Sequence, residues 1–194
     1  MHTGKALFWA GDFSSAPNFG ELWNPANNVI TPAPNPFSNI FCSANVHLAD
    51  GRLLVAGGRD GVTGFLGIAE SNTFNPVTET WSALPSMFYR RWYPTLTLLG
   101  DGRALVMSGS DSSETTFIDI PEIYDPVANT WTRLTGARLM VPQYPMMYLL
   151  PDGRVLQSGT TEQPTDTRTL NVATQQWSVI DSRIFEGGSG VQYA

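Results

Sequence analysis

Several things are scarce in this chain of 194 residues, and each shortage excludes a class of protein. One cysteine, Cys42, cannot close an internal disulfide, so a disulfide-stapled scaffold is out and cysteine usage says nothing about redox compartment. No apolar run is long enough to cross a bilayer as a helix. Lys and Arg number 11 against 17 Asp and Glu, a formal charge of −6 without any basic run. Such a chain has no electrostatic reason to hold nucleic acid. Met1 runs directly into "HTGKALFW", with no charged n-region, apolar h-region or cleavage site, so no secretory signal is expected within the chain. Charged residues make up only 14%, and helical periodicity is nowhere sustained.

Glycine and proline are plentiful, at 18 and 14, and 42% of the residues are hydrophobic. That composition suits one domain of many short strands joined by turns. The turns repeat. Asp50-Gly51-Arg52, Asp101-Gly102-Arg103 and Asp152-Gly153-Arg154 recur every 51 residues, and Thr3-Gly4-Lys5 is a looser copy. Each precedes a short apolar run ending in glycine: "KALFWAG", "RLLVAGG", "RALVMSG", "RVLQSG". About twenty residues later come "LWNPANNVI", "TFNPVTETW", "IYDPVANTW" and "TLNVATQQW", with Trp81, Trp131 and Trp177 at one shared position that Ile30 takes in the first copy.

Asp-Gly between apolar runs predicts a type I′ turn between antiparallel strands. Asn/Asp-Pro predicts the turn of a second hairpin, whose tryptophan packs between neighbouring units. Four strands in roughly 50 residues, repeated, is the pattern of a kelch-type β-propeller blade. The units fall at 1–36, 37–87, 88–138 and 139–185, with 186–194 the inner strand of a further blade. Either the chain is a piece of a larger propeller, or it closes as a four-bladed ring. The strand before each Asp-Gly is expected to be innermost. Cys42, Tyr93 and Tyr144 all stand eight residues before that turn, so they should neighbour one another at the mouth of the central channel.

The segments "FCSANVHLADGRLLVAGG" and "MFYRRWYPTLTLLGDGRALVMSG" resemble the start of the catalytic propeller of galactose oxidase and glyoxal oxidase, the copper-radical oxidases. "RRWYP" and "YPMMYLLPDGRV" lean to the glyoxal oxidase side. The resemblance implies part of a seven-bladed kelch propeller that oxidises a primary alcohol or aldehyde and reduces O₂ to hydrogen peroxide. It implies copper, and a thioether between Cys42 and Tyr93, with Tyr93 the metal ligand and radical carrier. A phenol made electron-rich by an ortho sulfur is easier to oxidise, and a copper that takes one electron needs such a second store. Copper(II) suits imidazole and phenolate ligands. Substrates would be small alcohols, aldehydes or carbohydrates, the remaining blades would be partners, and the parent protein would be extracellular.

The chain also departs from that pattern. The family draws two histidine ligands and an axial tyrosine from later blades. Here the histidines are His2, near a terminus, and His47, an odd number of steps from Cys42 along one strand and so facing away. The isolated chain is therefore expected to be inactive. The tryptophan that covers the thioether in galactose oxidase is missing, with Ser110-Asp111 in its place. Arg90 and Arg91 could orient an anionic or hydroxylated substrate, or form a solvated loop pair. Cys42 and Tyr93 taken alone would be core residues, and Tyr144 a channel-lining one. The rival reading is a non-catalytic kelch module that binds protein or glycan.

Overall fold

The computed structural model describes residues 1–10, 19–61, 66–112, 116–159, 163–185 and 192. The segment expected as a further inner strand, 186–194, lies outside the described residues except for Gln192. Among the described residues the chain forms four antiparallel sheets, each a simple meander. The first holds β1 (Ala6–Ala10), β2 (Phe19–Asn24) and β3 (Val29–Pro32). The second holds β4 (Ala44–His47), β5 (Leu53–Ala56), β6 (Ser71–Asn75) and β7 (Thr80–Leu84). The third holds β8 (Thr95–Leu98), β9 (Ala104–Met107), β10 (Glu122–Asp125) and β11 (Thr130–Arg133). The fourth holds β12 (Met147–Leu149), β13 (Val155–Gln157), β14 (Thr165–Asn171) and β15 (Gln176–Phe185). First strands touch across sheets, β4 with β8 and β8 with β12, which makes them the inner strands of kelch-type propeller blades.

The Asp-Gly-Arg turns differ from the type I′ form that the dipeptide predicts. Leu48 N–H donates to Arg52 O at 2.8 Å and Gly51 N–H to Leu48 O at 2.9 Å, so the loop has three residues. Of its residues only Gly51 has positive φ, at 86°. This is a type I turn closed by a glycine bulge. It spares the aspartate a left-handed backbone and frees its carboxylate for another task. Asp50 accepts the Arg52 backbone N–H at 3.0 Å and its Nε–H at 2.8 Å. The same clasp recurs at Asp101–Arg103 and Asp152–Arg154. The arginines thus fasten the turns.

Sheets pack face to face through three apolar clusters, one between each consecutive pair. The cross-strand pairs Phe74–Trp81, Tyr124–Trp131 and Leu170–Trp177 face the preceding sheet. Each indole also donates backwards: Trp81 to Ala33 O at 2.9 Å, Trp131 to Pro85 O at 3.0 Å, Trp177 to Ala137 O at 2.8 Å. The repeated tryptophans are therefore packing residues that fasten each blade to the segment leaving the one before.

The first sheet breaks this rule on its outer side. Trp23 and Ile30 are its equivalent pair, and they are 37% and 54% exposed, with Phe8 at 44%. No described strand covers that face.

Candidate functional site

Cys42, Tyr93 and Tyr144 stand just ahead of β4, β8 and β12. All three have a left-handed backbone, with φ of 56°, 61° and 46°. For residues other than glycine that conformation costs roughly 1–2 kcal/mol, and it is sustained only where the surroundings over-determine it. Here the backbones are tied in series. Tyr93 N–H donates to Cys42 O at 3.0 Å, and Tyr144 N–H donates to Tyr93 O at 3.0 Å. Residues equally placed in three sheets are thereby set side by side.

Their side chains converge. The half-buried Cys42 thiol meets the side chains of Tyr93, Trp92 and Tyr144. Burial pushes this thiol above its ordinary value, while those three groups and the Arg59 cation pull the other way. The Tyr93 and Tyr144 rings meet edge to face, with centroids 5.1 Å apart and planes at 75°. Burial pushes the Tyr144 hydroxyl well above the usual phenol value, and the neighbouring Cys42 and Tyr93 add to that.

The segment carrying Tyr93 is held from both sides. Arg91 N–H donates to Ile68 O at 2.9 Å, and Trp92 exchanges backbone hydrogen bonds with Ser110 at 2.8 and 2.7 Å. Arg91 is fully buried, and its guanidinium forks onto Glu122 at 3.0 and 3.3 Å. It also donates to Ser108 O and Ile120 O, both at 2.6 Å. Glu122, equally buried, accepts the backbone N–H of Phe88 at 2.6 Å and of Tyr89 at 3.3 Å. Arg91 is therefore spent on the scaffold and does not reach a substrate. Arg90 stays exposed, beside Asp60 and Glu70 in a surface hollow.

Two neighbours of the site escape the sequence reading. Trp92 is buried, and its ring lies 4.3 Å from that of Tyr93 at 34°. An aromatic therefore lies on Tyr93, although Ser110-Asp111 stands where the family pattern has its tryptophan. The buried Arg59 places its guanidinium 5.6 Å from the Trp92 ring centroid. The one signal for Arg59 was in the repeat: "AGGR" carries a cation where the next copy, "MSGS", has Ser110.

The imidazoles lie elsewhere. His47 ends β4 at the turn, where His2 packs so closely that a Cβ on Gly51 would sit 2.8 Å from its ring. Both are exposed. His47 closes the far end of β4, whereas Cys42 precedes its first residue, Ala44. Among the described residues no three His, Cys, Asp or Glu side chains gather as a metal site. Two phenols and a thiol without an imidazole do not make a complete copper(II) site.

No protein-family model matches the chain. Two galactose oxidases of Gibberella zeae are each 24% identical to it over 146 residues, which is 71% of this chain and 20% of each relative. The chain thus spans about a fifth of the length of the curated relatives it matches. A copper-bound fungal alcohol oxidase, described as showing catalytic diversity within the AA5 family, superimposes with a TM-score of 0.72 at 20% identity. That match covers 93% of this chain and 40% of the other. In sequence this chain is similar to galactose oxidases, and in fold to the AA5 alcohol oxidase.

Proposed function

We propose that the chain carries the cysteine–tyrosine half of a copper-radical oxidase site, and that the parent enzyme oxidises a primary alcohol or aldehyde with O₂ to give hydrogen peroxide. The observation that carries this reading is the meeting of the Cys42 thiol with the Tyr93 side chain, from consecutive sheets whose backbones are joined at those two residues. Thioether formation there would break the Cys42 S–H and an ortho C–H of Tyr93 and form one C–S bond. The two hydrogens pass to dioxygen, giving hydrogen peroxide. In the finished site Tyr93 is the metal-binding phenol, Cys42 tunes it, and imidazoles from further blades complete the copper ligands. The chain by itself then has no oxidase activity, and its parent is an exported protein.

The experiment is intact-mass analysis of the full-length gene product after exposure to copper(II) and dioxygen. The expected result is loss of two hydrogens, mapped to the linked Cys42 and Tyr93 peptides, and absent in Cys42→Ser. An unchanged mass would defeat the redox reading. Sequencing past Ala194 is a cheaper check, with a Tyr-His pair and one further histidine expected in later blades. The rival is a non-catalytic kelch module that binds protein or glycan. A stop codon directly after Ala194 together with an unchanged mass would select it.

A further inference from the structure

We propose that Tyr144 is a positioning residue that holds the Cys42 thiol against Tyr93. Its purpose rests on the redox reading above, but its geometry does not.

Tyr144 has φ of 46°, a region that bulky residues rarely enter and one that marks functional sites when it occurs. Its N–H is fastened to Tyr93 O at 3.0 Å, so the strain is maintained by the very residue beside it. The outcome is a ring set edge-on to Tyr93 at 5.1 Å, with its hydroxyl interacting with the Cys42 thiol. One side chain from the third inner strand thus touches both members of the pair formed by the first two.

A cysteine side chain has three staggered rotamers about Cα–Cβ. An unrestrained half-buried thiol would spread over those that its surroundings permit. The contact with the Tyr144 hydroxyl selects among them. A preference of about 1 kcal/mol, the size of one ordinary polar contact, shifts such a population roughly fivefold.

The test starts from the 194-residue chain without metal. Cys42 is its one cysteine, so its Raman spectrum holds a single S–H stretching band, which Cys42→Ser removes. Tyr144→Phe keeps the ring and deletes the hydroxyl, and melting curves check that the variant folds. The expected result is a shifted S–H band in Tyr144→Phe and an unshifted one in Tyr148→Phe, a half-buried tyrosine of β12. An unshifted band in Tyr144→Phe overturns the proposal whatever becomes of the oxidase reading. In the full-length protein, Tyr144→Phe should slow the two-hydrogen mass loss roughly three- to tenfold. A shifted band with an unchanged rate of mass loss would remove the positioning role. A shifted band with no mass loss even in the wild type would leave the Tyr144 contact standing and defeat the redox reading.

Discussion

Arg91 and Glu122 are the residues on which the site's geometry hangs. Each is fully buried and saturated with hydrogen bonds, and together they fix the peptide groups that lead into Tyr93. A buried ion pair is costly to break and often cheap to replace whole. Glu122→Ala should therefore cost about 3–5 kcal/mol in urea denaturation, because it strands a guanidinium. Arg91→Met combined with Glu122→Leu should recover most of that loss. If the double variant is no more stable than the single one, the stranded charge is not the cause. Gly57 is the other exacting residue. A Cβ there would sit 2.4 Å from Arg91 O, on a backbone with φ of 74°. Gly57→Ala should cost about 2 kcal/mol or more, by strain and by pushing the Tyr93 segment aside. A melting temperature equal to that of the wild type would show that the segment yields freely.

Strands and turns tell a more regular story. The clasped aspartates predict a pH response whose sign follows from the charge. The hydrogen bond from Arg103 holds the Asp101 carboxyl below its ordinary value, and Arg154 does the same for Asp152. A depressed folded-state value stabilises above the unfolded carboxylate value and is lost as pH falls through the folded one. Carboxyl NMR should thus place the Asp101 midpoint below that of a free aspartate, and Arg103→Met should raise it. An unmoved midpoint would mean that the clasp is not formed in solution. The tryptophans act between sheets. Trp131 donates to Pro85 O at 3.0 Å and Ser71 Oγ at 3.1 Å, at 6% exposure. Trp131→Phe keeps an aromatic but deletes both bonds, leaving Pro85 O to the Ser71 hydroxyl at 2.7 Å, so it should lower stability by about 1 kcal/mol. A loss under a few tenths would make the tryptophans space-fillers alone.

The whole molecule is asymmetric at its two ends. The face that is buried at Phe74 and Tyr124 in the second and third sheets, at 0% and 1%, is open at Trp23 in the first. A contiguous apolar surface with Phe8, Trp23 and Ile30 is a sticky one. The isolated chain should self-associate as its concentration rises in sedimentation velocity runs, despite its charge of −6. Trp23→Glu should weaken that association. A strictly monomeric wild type at all concentrations would mean that this face is covered in solution.

The repeat made the blades legible from the sequence, because Asp-Gly-Arg and the Asn/Asp-to-Trp interval are short-range signals. The register of each hairpin and the inward side of each strand follow from them through local sterics. The same logic found Cys42, Tyr93 and Tyr144, since equal phase in repeated units means equal height on the axis. Turn type was not legible: each loop has three residues, a length that selects a type I turn with a glycine bulge over the two-residue form that Asp-Gly suggests. Nor were Trp92, Arg59 and the Arg91–Glu122 pair readable as neighbours of the site. Their partners lie in other strands or other sheets, and no local rule states which distant carbonyl or carboxylate will face a given side chain. Sequence alone settled the strands and their phase, whereas packing of one sheet on the next decided which groups surround the thiol. Periodicity is a property of neighbouring residues along a chain, but a site is built by contacts that close only once the chain has folded.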